Sequence, residues 1–195
     1  MPEPSAARSV PHFVVARALE PLPPAARYIL RGGEPVRSAA AAAVGVAIPA
    51  EACRAKVQGE RAALWLGPDE WLLITPEHDG AALADSVAKA FRAVPHSLVD
   101  VSHRQSACEL RGPYAATLLA AGCPLDLDER AFPVGMCTRT VLAKAEVVLW
   151  RTAAERFRLE VARSFVAYVS EFLAEAGRTT PDRRLGSPLQ LETFS

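Results

Sequence analysis

Seven consecutive residues hold most of the chemistry this sequence offers: Asp100-Val101-Ser102-His103-Arg104-Gln105-Ser106. A carboxylate, a hydroxyl, an imidazole and a guanidinium are the parts of a small polar site. Asp100 would serve as base, Ser102 and His103 as hydrogen-bond donors, and Arg104 as the partner of an anion. The spacing argues against it, because adjacent residues in a turn rarely converge on one atom. The same residue types also make a tight turn between two strands. In that reading Asp100 and Ser102 bond local backbone, while His103 and Arg104 face solvent or a partner. The turn is the favoured reading.

The other candidates are weaker. Asp126, Asp128 and Glu129 are acidic neighbours, but a calcium loop needs more oxygen ligands and a glycine at its bend, so a solvated loop is expected. Cys53, Cys108, Cys123 and Cys137 form no Cys-x-x-Cys pair, and no histidine stands beside them at ligand spacing. They read as reduced thiols used as small apolar side chains. Trp65, Trp71 and Trp150 fall on expected hairpin strands and read as sheet-packing residues. No glycine-rich dinucleotide or phosphate loop and no Gly-x-Ser-x-Gly elbow occurs. No catalytic, cofactor-binding or metal residue is assigned.

Bulk properties narrow the classes further. In 195 residues, 22 Lys and Arg balance 22 Asp and Glu, so nothing draws the whole molecule to nucleic acid or an anionic membrane. Arg178, Arg183 and Arg184 are read as a solvated tail. The longest bland run, Ala39 to Ile48, is broken by Gly45 and is far short of the ~20 residues a bilayer requires. The start, Met-Pro-Glu-Pro-Ser-Ala-Ala-Arg, has no charged head followed by an apolar stretch, and no secretory signal is expected. A cytoplasmic protein follows from this reading.

The elements that must position the turn alternate between strands and short helices. Phe13-Val14-Val15 and Arg27 to Leu30 read as strands. Gly32, Gly33 and Pro35 open an Ala-rich helix ending near Gly45. Ala62 to Leu66 and Trp71 to Ile74 are strands joined by the turn Gly67-Pro68-Asp69-Glu70. Asp79 is placed to cap a helix with the stripe Leu83, Val87, Phe91, stopped by Pro95. Ser97 to Val101 and Ala107 to Leu110 are strands. Pro113 opens a helix in which Tyr114 and Leu118 share a face, and Gly122 ends it. Thr140 to Leu142 and Val147 to Trp150 are strands, and Phe157-Arg158-Leu159-Glu160-Val161 alternates as a half-buried strand does. The last helix starts near Ser164, with the stripe Phe165, Tyr168, Val169, Phe172, Leu173, Ala176 and Gly177 at its end.

Two short patterns recur in the same order. Leu30-Arg31-Gly32 matches Leu110-Arg111-Gly112, and Trp65-x4-Glu70 matches Trp150-x4-Glu155. Each triplet ends a strand before a helix; each Trp ends one hairpin strand, and each Glu lies in the turn. The chain reads as a duplication: a tail at 1–11, one repeat at 12–95, a second at 96–177, and a tail or arm at 178–195. Each repeat is a strand–helix–strand–strand–helix unit. The fold class is α+β, with mostly antiparallel sheets and helices on one face.

Several segments carry a resemblance. Leu98-Val99-Asp100-Val101-Ser102-His103, Glu109 to Leu119, Phe132 to Thr140, and Trp150-Arg151 through Phe157-Arg158-Leu159 resemble the first domain of the glycine-cleavage T-protein (aminomethyltransferase) superfamily. Leu66-Gly67-Pro68-Asp69-Glu70-Trp71-Leu72, Asp100 to Arg104, Phe132-Pro133-x-Gly135 with Thr138-Arg139-Thr140, and Arg163-Ser164-Phe165 make the chain more similar still to the sarcosine oxidase gamma subunit family. The match runs from about residue 60 to about residue 177.

That resemblance implies a T-protein-like fold in a subunit of heterotetrameric sarcosine oxidase. The enzyme demethylates sarcosine to glycine, reduces oxygen to peroxide, and passes a one-carbon unit to tetrahydrofolate. It also implies assembly with the large alpha subunit, with beta and delta in the complex. FAD, FMN, NAD and tetrahydrofolate are expected in those partners and none in this chain. T-proteins carry a Gly-Gly turn and an acidic pair between two strands. Here that place reads Leu142-Ala143-Lys144-Ala145-Glu146-Val147, with Glu146 the one carboxylate left. A catalytic carboxylate without its positioning loop works poorly, so a scaffold without catalysis is expected. The alternative is a free-standing folate-binding or aminomethyltransferase-like protein using Asp100 or Glu146. The expected partner interface is Asp100, Ser102, His103, Arg104 and Arg163, with the C-terminal arm.

Overall fold

Apolar residues on both faces of the inner strands leave little of them open to water, while the edge strands stay largely exposed. The computed structural model describes residues 19–179. The strand expected at Phe13–Val15 and most of both tails lie outside them. Within them the order is β1 (Leu19–Pro21), β2 (Ala25–Gly32), α1 (Glu34–Val44), β3 (Ala55–Gln58), β4 (Arg61–Gly67), β5 (Glu70–Pro76), α2 (Gly80–Ala90), β6 (His96–Asp100) and β7 (Gln105–Arg111). There follow α3 (Ala115–Ala120), β8 (Cys137–Leu142), β9 (Ala145–Ala153), β10 (Arg156–Ala162) and α4 (Val166–Thr179). The expected α+β class holds. The short strands β1 and β3 had no sequence signal.

The strands form two five-stranded sheets, β3-β4-β5-β2-β6 and β8-β9-β10-β7-β1, with every pairing antiparallel. Read side by side, the two orders are one pattern repeated. The outermost strand is exchanged: β1 precedes β2 in the chain but pairs with β7, while β6 precedes β7 but pairs with β2. A division of the chain between residues 95 and 96 therefore does not coincide with the division between sheets.

The alternation of each strand feeds two cores at once. In β2, Ala26, Tyr28 and Leu30 face α1 and α2, joined by Val36, Ala40, Leu83, Val87 and Phe91. In β10, Phe157, Leu159 and Val161 face α3 and α4, joined by Leu118, Leu119, Val169 and Leu173. The opposite faces of the two sheets meet each other through Ala62, Leu64, Leu72, Ile74, Val101, Cys137, Val148 and Trp150. The layers run helices, sheet, sheet, helices. The sheets are also stitched at an edge: Arg54 bridges Met136, and the Cys137 amide donates to the Cys53 carbonyl at 2.9 Å.

The repeated triplet has a structural meaning. Gly32 ends β2 and its N–H donates to the carbonyl of Asp69, 3.0 Å away, in the β4–β5 turn; Gly112 ends β7 and donates to Glu155, 2.9 Å away, in the β9–β10 turn. The two glycines are required for different reasons. A Cβ at Gly32 would sit 2.5 Å from Cγ2 of Val36, whereas Gly112 has φ +111 with open space around it.

Several local expectations are corrected. Asp79 does not cap α2 with its side chain. A 3-10 turn over Glu77–Asp79 runs straight into the helix, and the carboxylate instead pairs with Arg61 at 2.9 Å. Arg61 hydrogen-bonds Asp79, which holds that carboxyl below the usual range. Pro113 lies ahead of α3, not in its first turn. Glu160 is buried, because the face it occupies is covered by the other sheet. Phe165 lies in a 3-10 turn before α4, off the helix stripe, and is 41% exposed. Gly177 does not end α4; it is buried within it, and the helix continues to Thr179.

Candidate functional site

Because β6 belongs to one sheet and β7 to the other, the segment between them must cross from sheet to sheet. That segment is Val101 to Arg104. The β1–β2 connection, Leu22 to Pro24, makes the equivalent crossing, and the two lie side by side in one cleft.

Asp100 bonds local backbone as expected, while the Ser102 hydroxyl, expected to do the same, reaches a distant strand. Asp100 Oδ1 accepts the Ser102 amide at 2.8 Å. The Ser102 hydroxyl and amide beside it hold the Asp100 carboxyl below its usual range. Ser102 Oγ accepts the Arg27 amide at 2.9 Å, and the Val101 amide donates to the Arg27 carbonyl at 2.9 Å. The amides of Arg104 and Gln105 both donate to Val101 O, at 3.0 and 3.1 Å. Polar backbone that would otherwise be stranded at the crossing is paired in this way.

Behind the turn lies a charge pair that sequence reasoning missed. Arg27 Nε and Glu160 Oε2 are 2.6 Å apart, with side chains only 3% and 1% exposed. Glu160 Oε1 accepts Nε of Arg158 at 2.8 Å, and Arg27 Nη1 donates to the Ala25 carbonyl at 2.8 Å. A buried carboxylate is tolerated when it is paired and hydrogen-bonded in this manner. The available signal was Arg27 itself, a lone charge inside an apolar strand. Glu160 gave none, since its alternation with apolar neighbours looks like a solvent face.

Of the five candidate residues, the structure brings together three. Ser102, His103 and Arg163 line a cleft of about 250 Å³ with Leu22, Arg27 and Glu77. Arg104 lines a second cleft of about 240 Å³ with Arg139, Glu146, Glu160 and Phe165. Asp100 lines neither of these two. Arg104 and Arg163 are nonetheless adjacent, because the Arg163 amide donates to the Arg104 carbonyl at 3.0 Å. Gln105 lines both clefts, and its Oε1 is shielded from solvent with no hydrogen-bond partner among the described residues.

The segment that the resemblance marks as lacking an acidic loop is a two-residue turn, Ala143-Lys144, closed by the pair Leu142 and Ala145. Ala143 has φ +52, and its amide is tied to the Gly122 carbonyl at 2.9 Å. Glu146 is 75% exposed and pairs with Arg139 at 3.7 Å. Arg139 also reaches Glu70 of the first sheet at 2.6 Å. Burial pushes the thiols of Cys108 and Cys137 up to about 12. All four cysteines are free, in line with their use as apolar filling. No described helix is long and apolar enough to cross a membrane.

Comparison with known proteins places this arrangement. The chain is 39% identical to the sarcosine oxidase subunit gamma of Corynebacterium sp. (strain P-1) over 71% of its own length and 68% of that protein's. It is 37% identical to the subunit gamma of an Arthrobacter species, over 74% and 70%. A chain of the heterotetrameric sarcosine oxidase from Corynebacterium sp. U-96, solved with pyrrole 2-carboxylate, superposes with a TM-score of 0.76 and 34% identity, covering 83% of this chain and 86% of that one. The glycine cleavage system aminomethyltransferase T of Bartonella henselae shares the fold: TM-score 0.61 and 12% identity, over 83% of this chain and 46% of that one. The model of the sarcosine oxidase, gamma subunit family matches residues 32–179. The duplicated sheets, the strand-crossing Asp-Val-Ser-His turn and these relationships agree, and the chain belongs to the sarcosine oxidase gamma subunit family.

Proposed function

We propose that this chain is the gamma subunit of a heterotetrameric sarcosine oxidase in the cytoplasm, and that its role is structural. In this reading it assembles with the large alpha subunit and with beta and delta. The flavins, the dinucleotide and the tetrahydrofolate are held by those partners. The observation that carries the reading is the superposition on a chain of the heterotetrameric enzyme over most of both chains, at 34% identity.

Two features support a scaffold over a catalyst. The Asp100 carboxylate is committed to the Ser102 amide. Glu146 stands exposed beside Arg139 on a strand whose turn is too short to position it. Groups so placed give no general base within reach of a bound molecule. The interface is assigned to the crossing turn and its neighbour strand end, where His103, Arg104 and Arg163 are all exposed.

Co-expression with the other three subunits followed by size-exclusion chromatography tests the reading. The expected outcome is co-elution of four chains in equal amounts. A chain that elutes alone while its would-be partners elute without it removes the subunit role.

A further inference from the structure

Arg104 and Arg163 are neighbouring cations that form no ion pair among the described residues, although Glu77 shares one cleft with Arg163 and Glu146 and Glu160 share the other with Arg104. Their backbones are hydrogen-bonded at 3.0 Å, both are exposed, and neither side chain enters an ion pair among the described residues. His103 is exposed beside them. The chain as a whole is neutral, so this is a local excess and not a sample of a basic surface. Most other arginines of the sheets are paired: Arg27 and Arg158 with Glu160, Arg31 with Asp69, Arg111 with Glu109 and Glu20, Arg139 with Glu70.

The platform beneath the pair is stiff. The turn is held by Ser102 on Arg27, and Arg27 is held by buried Glu160. Little order has to be imposed when something binds. On one flank Phe165 is 41% exposed and packs edge-on against Tyr168. Two unpaired guanidiniums call for carboxylates, which they bind through charge-assisted, two-pronged hydrogen bonds. An exposed aromatic calls for an apolar side chain.

We infer that an acidic segment of a partner subunit lies across this ridge from one cleft to the other. It sets carboxylates on Arg163 and Arg104 and an apolar side chain on Phe165. Asp100 and Ser102 do not touch it; they hold the platform. This inference rests on the subunit reading and names the chemistry of the partner's surface.

The test uses the full chain and the complex of the other three subunits, with association measured by interferometry from roughly 50 to 500 mM salt. The wild type is expected to bind less tightly as salt rises. Arg104→Glu/Arg163→Glu weakens binding about 30-fold or more at low salt and flattens the salt dependence. Arg104→Lys/Arg163→Lys retains the salt dependence with a loss of about tenfold or less. The remote variant Arg92→Glu leaves both unchanged. Circular dichroism melts of each variant show whether it is folded, and a folded double-Glu variant with wild-type affinity and salt slope overturns the inference while the subunit reading stands. A wild type that never binds the other subunits overturns both. Self-association that the double-Glu variant abolishes, with subunit binding intact, assigns the ridge to a second copy and also overturns it.

Discussion

Arg27 does two jobs with two parts of itself. Its amide feeds the Ser102 hydroxyl at 2.9 Å, and its side chain feeds Glu160 at 2.6 Å in the opposite sheet. The turn and the sheet–sheet contact are thus coupled through one residue. Glu160 is the centre of that pairing, since it accepts from both Arg27 and Arg158. Glu160→Met would leave the buried Arg27 charge without its carboxylate. We expect it to destabilise the fold by about 3–5 kcal/mol in urea unfolding. Arg27→Met/Glu160→Met, which removes both charges, should recover most of that loss. A Glu160→Met loss no larger than that of the double variant would show that the pair does not act as a unit. Sequence alone showed half of the turn: Asp100 bonds local backbone, as a short polar side chain beside a strand end does, whereas Ser102 bonds the backbone of Arg27 on another strand. It could not show Glu160, because alternation reports which residues share a face and not what covers that face.

At the scale of elements, the Leu-Arg-Gly triplet is the clearest case of one motif doing the same work twice. In each repeat the glycine N–H closes the end of the strand onto the facing hairpin turn. Yet Gly32 is needed for room beside Val36, and Gly112 for its positive φ. The two substitutions should therefore behave differently. Gly32→Ala and Gly112→Ala are each expected to lose roughly 1–3 kcal/mol by urea unfolding. Val36→Ala opens space at Gly32 only, so Gly32→Ala/Val36→Ala should fall short of additivity while Gly112→Ala/Val36→Ala adds fully. Full additivity in both cycles would show that the crowding at Gly32 is not the cause. Helices and hairpins were legible because their periodicities are local. The strands β1 and β3 were not: three and four residues long, they are too short for a period to register, and only their partners define them.

At the scale of the molecule, the exchanged outer strands lock the halves together. The first sheet is completed by β6 from the second stretch of sequence, and the second by β1 from the first. The crossings that result are what create the turn and both clefts. Neither half has its full sheet alone, and each would expose the apolar face of Leu64, Leu72, Val148 and Trp150 that the sheets share. We expect fragments cut between residues 95 and 96 to be unfolded or aggregated when produced separately, and to form a folded complex when co-produced. Hydrogen exchange on the intact chain should then give one highest free energy of opening for amides in both sheets. A folded, monomeric 96–195 fragment would contradict that coupling. The inferred binding ridge belongs to this scale too. Arg104 and Arg163 are 59 positions apart by their numbers and become neighbours only because β7 and β10 pair.

What the sequence determined by itself was local and periodic. The α+β class, the duplicated order of elements, the helix stripes and the polar turn all depend on residues a few positions apart, whose steric and hydrogen-bonding preferences act wherever the chain goes. Tertiary structure decided the rest: which strand completes which sheet, that both faces of the inner strands are covered, that Glu160 is buried, and that two distant arginines stand side by side with no ion pair among the described residues. Those outcomes depend on burying apolar area between segments far apart in the chain, and a free energy summed over such contacts leaves no period in the sequence to read.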